Sequence, residues 1–437
     1  AGAGAAGAPA AAPASFAEAL AGKAGGEEGD GEAPRGDAGR QGGRSLVAPS
    51  SGAPGGNAGG RRQAFPWAGR LEQGALVGAG ARAQVFRMEP KGDMPGIELV
   101  AKRTAKTFIG DWLKDACITN AFTRMRAADQ HSLPPPVVPL IDVRETDEHL
   151  FVLMPYGGMS WDHYAASQPR LLQTDDAHVW ADFAVLFYHV VVGIQRMHAL
   201  GVTHCDIKLE NVLVKEVPGS LGQATIIDFD AAQDASSAGV PGGTLDYMSP
   251  LRFQERMKCT QEADLWALGV MLVELVLRRH PYEPNLTGVI FPGHWAQVAA
   301  AFKDRLPEAI STELAPQIGT VGEATARNIQ SIQSIFGRLF ARSRTEAVEA
   351  FNSVVEDARA FAEQAARRSN GGKDYDVEPF GVHRLIDMDV AAMAGLEKLR
   401  NLVKRIRVGS ALWESLGNMS LSQCLAMGSS AWRTTHA

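Results

Sequence analysis

Two short polar loops limit what this 437-residue chain can fold into more than any other feature. The first, "HCDIKLEN" at 204–211, lies between a long apolar helical pattern and the short apolar strand "VLV". The second, "IIDFD" at 226–230, begins in an apolar run typical of a buried strand. The spacing of Asp206, Lys208 and Asn211 within one short loop can point all three side chains at one site. We therefore expect both loops to face one site.

The groups in these loops suit phosphate and metal chemistry. Asp206 is placed to orient an attacking hydroxyl and accept its proton, and Lys208 to neutralise the charge of a phosphate. Asn211 and Asp228 offer the hard oxygen ligands that Mg²⁺ prefers. Together the two loops predict a site for a phosphorylated ligand with a metal ion.

Two features upstream are weaker signals. Gly78 and Gly80 lie in a turn between predicted strands, where glycine lets backbone amides approach phosphate oxygens. Ala83 stands at the third glycine position of a GxGxxG pattern, so an ordinary hairpin is the simpler explanation of this turn alone. Lys102 ends the strand "LVAK" and is either a phosphate-binding cation in a cleft or a solvated lysine.

The first part of the chain has two compositions. Residues 1–64 are rich in Ala, Gly and Pro and carry few bulky apolar side chains, which predicts a disordered leader. From 65 to 156, short runs of apolar and β-branched residues predict strands, among them "VVPLIDV" at 137–143. A helical pattern at 111–125 interrupts these strands.

Helical patterns dominate the rest of the chain. They span residues 177–200, 262–278 and 324–367. A β-rich part followed by a helical part predicts an α+β fold with a ligand-binding cleft at the junction. Residues 364–437 are predicted to add a partly helical extension. Within it, "LEKLRNLVKRIRV" at 396–408 would either pack on the helical part or dock a partner or a membrane surface.

The charge balance argues against some partner classes. The 43 Lys+Arg and 49 Asp+Glu give a net charge of -6 without strong blocks, so we expect neither nucleic acid nor an anionic membrane as the main partner. No apolar run approaches the ~20 residues of a membrane span. The best run, 183–194, contains His189 and is predicted to be a buried helix. The composition is that of a soluble, cytoplasmic protein.

The cysteines are few and far apart. Cys117, Cys205, Cys259 and Cys424 form no CxxC pair and no dense framework. This pattern predicts isolated thiols and suits a reducing compartment.

Six segments together resemble the eukaryotic protein kinase family of the serine/threonine type. The glycine turn, "LVAK", "HCDIKLEN", "IIDFD", "GTLDYMSP" and "EADLWALG" occur in that family's order over 67–361. The resemblance implies a bilobal kinase domain at 65–363, with a β-rich N-lobe at 65–156 and a helical C-lobe at 157–363.

By this resemblance the chain would transfer the γ-phosphate of ATP, with Mg²⁺, to serine or threonine hydroxyls of proteins. Lys102 would hold the ATP phosphates, Asp206 would be the catalytic base, and Lys208 would be its companion. Asn211 and Asp228 would bind metal. Residues expected to contact ATP are Gly78, Gly80, Val85, Lys102, Met154, Pro155 and Gly157.

The resemblance also implies supporting roles. Met154 would be the gatekeeper, and 155–157 would form the hinge that meets adenine. Asp264 would anchor the backbone of the catalytic loop, residues 204–211. Thr244 would line the substrate platform within the activation segment, residues 228–250.

One departure from the family concerns the partner of Lys102. The family has a helix glutamate there, but no Glu occurs between Glu98 and Glu145. Asp115 in "LKDACITNAF" is the candidate replacement, one methylene shorter. A surface-facing aspartate is an equally good reading of this residue.

Other departures concern regulation and structure. Cys205 replaces the arginine that pairs with an activation-segment phosphate in many kinases, so control by that phosphate is not expected. Asp230 replaces the glycine of the DFG motif and either restricts the loop or alters metal binding. Leu251 replaces a structural glutamate, and Ser236, Ser237 and Thr244 remain conceivable phosphate acceptors.

All groups that would touch phosphate or metal are retained, which favours an active enzyme over the alternative, a pseudokinase acting as an allosteric or binding module. The arginine-lacking loop, "IIDFD" and the leader also resemble the secreted rhoptry kinases of apicomplexan parasites. That finer resemblance would imply secretion into a host cell and host proteins as substrates, in place of a cytoplasmic location.

Overall fold

The computed structural model describes twelve segments of the chain: residues 66–67, 71–80, 83–91, 98–125, 135–217, 219–234, 242–254, 258–280, 314–316, 318–340, 344–379 and 411–427. All of them belong to one compact unit of the chain. The predicted leader at 1–64, the predicted helix at 396–408, Ser236 and Ser237 lie outside the described residues.

The N-terminal lobe is an antiparallel sheet of five strands in the order β1-β2-β3-β5-β4. The strands are β1 (Leu71–Ala79), β2 (Ala83–Pro90), β3 (Leu99–Ala105), β4 (Asp142–Glu145) and β5 (His149–Pro155). Alternate residues bury one face of the sheet, because side chains of a strand point to opposite faces in turn. The core on that face consists of Trp67, Leu71, Phe86, Met88, Leu99, Ala101, Ile141, Phe151 and Leu153.

The predicted strand at 137–143 is wrong over most of its length. The ladder with β5 begins only at Asp142, and residues 137–141 form no strand. Pro139 lies in that stretch and has no amide hydrogen to donate to a sheet.

One helix, α1 (Ile109–Arg124), follows β3 and confirms the helix predicted at 111–125. Buried residues occur all round it, including the polar Lys114, Thr119 and Asn120. A helix buried on every side must have packing partners on every side.

The C-terminal lobe is mainly helical. Its helices are α2 (Trp161–Ser167), α3 (Ala177–Ala199), α4 (Pro250–Gln254), α5 (Gln261–Leu277), α6 (Glu323–Leu339) and α7 (Arg344–Ser369). A small antiparallel sheet of β6 (Met159–Ser160), β7 (Val212–Lys215) and β8 (Gln223–Ile226) lies beside them. The α+β, bilobal fold predicted from the sequence is therefore confirmed.

Helix α3 is the core of this lobe. Its mean hydropathy of 1.5 and its length would allow a membrane span, but 83% of its most apolar window is buried inside the protein. The prediction of a buried helix is confirmed, since such burial is typical of a core helix.

The C-terminal part of the chain packs back on both lobes. Helix α7 runs through residue 363, where the sequence suggested a domain boundary, and continues to Ser369. Beyond it, Tyr188 on α3 donates a hydrogen bond to Glu378 (2.9 Å). Two further helices, α8 (Ala411–Asn418) and α9 (Leu421–Ala426), contact α1. The helical character predicted for 364–437 is present in these helices.

Candidate active site

A buried carboxylate fixes the backbone of the catalytic loop. Asp264 near the start of α5 is 1% exposed. Its carboxylate accepts hydrogen bonds from the amides of His204 and Cys205 (both 2.8 Å) and from Nε2 of His198 (2.9 Å). Burial alone would raise the pKa of Asp264, but the interactions with His198, with His204 and with the Cys205 amide lower it. The predicted anchoring role of Asp264 is confirmed.

Cys205 is held in a backbone conformation that is uncommon for a residue with a Cβ. Its φ is 69°. A disulfide joins it to Cys259, just before α5. Its carbonyl accepts a hydrogen bond from Nη1 of Arg252 (2.9 Å). The cross-link and the two backbone bonds, one to Asp264 and one to Arg252, hold this turn in place.

Asp206 stands at the centre of a polar network. Nζ of Lys208 donates to Oδ2 of Asp206 and to Oγ1 of Thr244, both at 2.8 Å. Thr244 donates in turn to Oδ1 of Asp206 (2.8 Å). Nδ2 of Asn211 donates to the carbonyl (2.8 Å) and to Oδ2 (3.0 Å) of Asp206. The structure thus brings the predicted loop residues together and ties them to the activation segment.

A second cluster surrounds Lys102. Its Nζ lies 2.9 Å from Oδ2 of Asp115 and 3.1 Å from Oδ1 of Asp228. Burial alone would lower the pKa of Lys102, but the two carboxylates raise it above its usual value. The positive charge of Lys102 lowers the pKa of Asp228 despite burial. Asp115 therefore faces Lys102, and the surface-facing alternative is wrong.

Asp228 and Phe229 join this cluster to α1. Asp228 has a left-handed backbone (φ 73°, ψ 71°), a strained conformation that is often found at functional sites. The amide of Phe229 donates to Oδ1 of Asp115 (3.0 Å). The Phe229 ring contacts the rings of Phe122 on α1 and His204 in the catalytic loop. Position 230 lies in the 3-10 turn Phe229–Ala231.

The glycine turn is a hairpin between β1 and β2. The amide of Gly80 donates to the carbonyl of Ala83 (2.9 Å). A Cβ added at Gly78 or Gly80 would meet only ordinary contacts, so local packing does not require glycine at either position. Val85 pairs with Lys102 across β2 and β3, which places it next to the lysine.

The predicted hinge leaves the end of β5. Met154 pairs with Val100 in the sheet, and Pro155 is the last residue of the strand. A Cβ at Gly157 would lie 2.8 Å from side-chain atoms of both Val138 and Leu213, so no larger residue fits there without movement.

These residues fit a nucleotide bound with Mg²⁺. Within the described part of the chain, no group of three or more His, Cys, Asp or Glu could hold a metal by itself. Asp228 offers a carboxylate, and Asn211 donates through Nδ2, which leaves its amide oxygen as a ligand. The remaining ligands would be phosphate oxygens and water, as is usual for Mg²⁺.

The prediction of four isolated thiols is wrong. Cys117 is bonded to Cys424 and Cys205 to Cys259, with Cα separations of 5.4 and 5.9 Å. The partners are 307 and 54 residues apart in sequence, so spacing could not identify the pairs. The even number of cysteines was the only signal for them.

Sequence reasoning also missed Arg252 on α4. It is 2% exposed, and its guanidinium donates to the carbonyl of Cys205 (2.9 Å) and to that of Gly242 (2.7 Å). One side chain thus bridges the catalytic loop and the activation segment. Nothing in the sequence around position 252 separates it from a surface arginine.

Comparison with known proteins agrees with this geometry. The family model described as "Protein kinase domain" matches residues 71–342. Serine/threonine-protein kinase H2 of Homo sapiens is 26% identical over 221 residues, which cover 49% of this chain and 52% of that protein. Serine/threonine-protein kinase 1 of Lymantria dispar multicapsid nuclear polyhedrosis virus is 30% identical over 113 residues, 26% of this chain and 39% of that protein.

A third relative is the calcium and calcium/calmodulin-dependent serine/threonine-protein kinase of Pisum sativum. It is 29% identical over 176 residues, covering 39% of this chain and 32% of that protein. The matches span about half or less of the length of these three relatives. The family match covers more than half of the chain and includes both polar loops, so the chain belongs to the eukaryotic serine/threonine protein kinase family.

Proposed function

We propose that this chain is an active serine/threonine kinase that phosphorylates proteins and needs no phosphate on its activation segment. The observation that carries the proposal is the closed network of Asp206, Lys208 and Thr244. It holds a buried carboxylate, a cation and a hydroxyl where a substrate hydroxyl and a phosphate would meet. Positioning and charge neutralisation of this kind account for most of kinase catalysis.

Each retained side chain has a defined task in this proposal. Asp206 orients the acceptor hydroxyl and takes its proton. Lys208 stabilises charge beside it, and Lys102, fixed by Asp115, orients the nucleotide phosphates. Asn211 and Asp228 would hold Mg²⁺. Mg-ATP would supply the transferable phosphoryl group and the metal charge that screens it.

Independence from an activation-segment phosphate rests on the surroundings of Cys205. A phosphate-binding arginine is absent at this position. In its place, the disulfide to Cys259 holds the loop to the start of α5, and Arg252 bonds Cys205 and Gly242 at once. These contacts connect the catalytic loop to the activation segment without a phosphate.

The two disulfides also support a location. Disulfides persist in oxidising compartments and are rare in the reducing cytosol. We therefore propose that the protein works outside a reducing cytosol, which agrees with secretion into a host cell as the rhoptry-type resemblance implies. Its substrates would then be proteins of that environment.

Phosphotransfer to a peptide library with Mg²⁺ and ATP tests the activity. The full chain, purified without reductant, is compared with Asp206→Asn and with Asp374→Asn, a control that removes an exposed carboxylate. We expect Asp206→Asn to lose at least about 100-fold in rate, because the proton acceptor is gone, and Asp374→Asn to keep its rate. Equal turnover by the full chain and Asp206→Asn would contradict the proposal, and nucleotide binding without turnover would favour a pseudokinase.

Phosphatase treatment tests the second half of the proposal. After the treatment, mass spectrometry verifies that residues 228–250 carry no phosphate. We expect the treated protein to keep its rate. Loss of activity that returns on rephosphorylation of this segment would show dependence on the phosphate.

A further inference from the structure

The outer face of α1 is covered by the last described segment of the chain. This segment, residues 411–427, contains α8 and α9, and both contact α1. Leu416, Cys424, Leu425 and Met427 are buried. We name residues 411–427 the tail clamp.

Two polar side chains of α1 bind the backbone of the tail clamp. Nδ2 of Asn120 donates to the carbonyl of Leu416 (3.2 Å). The guanidinium of Arg124 donates to the carbonyls of Gly417 and Met419, both at 2.6 Å. The carbonyls at the end of a helix have no partner within it, so Arg124 satisfies the Gly417 carbonyl that α8 leaves open.

A covalent bond reinforces these contacts. Cys424 on α9 is fully buried and bonded to Cys117 on α1. A capping box of Ser420 and Gln423 starts α9 and fixes its direction. The tail clamp is thus tied to α1 at both of its helices.

The contacts form one stripe, opposite the active site. An α-helix turns by about 100° per residue. Cys117, Asn120 and Arg124 therefore lie roughly 200°, 140° and 180° from Asp115 around α1. The tail clamp holds the face of α1 that points away from Lys102.

The position of α1 matters here because its carboxylate is short. Asp115 has one methylene less than the glutamate usual in this family, yet its Oδ2 is 2.9 Å from Nζ of Lys102. Its other oxygen accepts the amide of Phe229 (3.0 Å). Both bonds require α1 to lie close to β3 and the activation segment.

We propose that the tail clamp is a built-in positioning device for the active site. It holds α1 inward, so that Asp115 reaches Lys102, without any second protein. Arg124 and the Cys117–Cys424 disulfide act through Asp115 and are positioning groups. This inference rests on the proposed kinase function, since both assign the binding of the nucleotide phosphates to Lys102.

Direct titration of Mg-ATP and of Mg-ADP tests the clamp, because binding can be measured even if phosphotransfer is absent. Two variants loosen it: Cys424→Ser removes the cross-link, and Arg124→Ala removes the backbone contacts but keeps the disulfide. Arg327→Ala, an exposed arginine on α6, is the matched control. We expect each loosened variant to bind nucleotide about 5-fold or more weakly, and Arg327→Ala to bind normally.

Asp115→Glu separates positioning from general stability. In the clamped protein α1 is already close to β3, so the longer side chain of Asp115→Glu has too little room beside Lys102. We therefore expect this variant to bind nucleotide more weakly. In the Cys424→Ser background α1 can move outward, so the same change should restore affinity. A loss of stability alone would not reverse the sign of the Asp115→Glu effect.

Two results would overturn the inference: unchanged nucleotide affinity in both loosened variants, or an Asp115→Glu effect of the same sign with and without the cross-link. A failure of the proposed kinase function would give another result. Nucleotide affinity would then respond to the clamp as described, but neither the full chain nor any variant would transfer phosphate.

Discussion

The guanidinium of Arg252 binds two backbone carbonyls at once. It donates to the carbonyl of Cys205 in the catalytic loop and to that of Gly242 in the activation segment. A planar guanidinium presents several donors in fixed directions, whereas an ammonium is a single point. A lysine at position 252 would therefore keep the charge but not both hydrogen bonds.

We expect Arg252→Lys to lower kcat by about 10-fold, because one ammonium cannot bridge both carbonyls and the activation segment loses its tie to the catalytic loop. The KM for ATP should change little, since Arg252 binds the carbonyls of Cys205 and Gly242, whereas the nucleotide phosphates are expected at Lys102. Steady-state kinetics with varied ATP and varied peptide measure the two parameters. Arg327→Lys on the surface of α6 serves as the control, and an equal change in both parameters would argue against this role.

Residues close together in sequence were predictable, and residues paired by packing were not. Asp206, Lys208 and Asn211 share one short loop, so their meeting follows from local geometry. Asp115 was ambiguous because the sequence does not show which side of α1 faces β3. Arg252 is distant in sequence from its carbonyl partner in Cys205, and only the folded chain brings the two together.

Strong hydrophobic periodicity predicted the positions of the helices well. Helix α3 ends within one residue of its predicted position, and α5 is shifted by one residue at each end. The strand predicted at 137–143 is wrong over 137–141, where the apolar pattern is interrupted by Pro139, which cannot donate to a sheet. The helical pattern predicted up to 367 ends two residues before α7 does, and the domain boundary suggested at 363 stays a prediction.

A buried histidine on α3 binds two other parts of the chain. Nε2 of His189 on α3 donates to the carbonyl of Val377 (3.1 Å), and its Nδ1 accepts the amide of Ala224 on β8 (3.3 Å). This pattern requires the neutral ring, because a protonated Nδ1 would face a donor. Burial lowers the pKa of His189 from 6.5 to about 4.

We expect the free energy of unfolding to fall as the pH drops from 6.5 to 4. In that window the unfolded chain binds a proton on His189 and the folded chain does not, so acid favours the unfolded state. The contribution of His189 is roughly 3 kcal/mol, the energy equivalent of its pKa shift. Urea titrations at several pH values measure it.

His189→Gln should have a shallower pH dependence in this window, because the titrating group is gone. His163→Gln removes a mostly exposed histidine and should keep the original slope. A slope that is identical in His189→Gln and the full chain would contradict this assignment.

The two disulfides connect regions that are far apart in the chain. One joins α1 to the tail clamp across 307 residues, and the other joins the catalytic loop to the start of α5 across 54. Both end at elements that position the active site. The same bonds would therefore couple global stability to the geometry of catalysis.

We expect Cys205→Ser/Cys259→Ser to lose up to about 4 kcal/mol in the free energy of unfolding, because a cross-link over 54 residues restricts the unfolded chain. Urea unfolding with and without reductant measures this. The full chain should weaken on reduction more than the double variant, which retains only one disulfide. Intact mass should rise by four hydrogen atoms on full reduction of the two bonds. A chain whose mass and stability are unchanged by reductant would have no such cross-links, which would contradict this prediction.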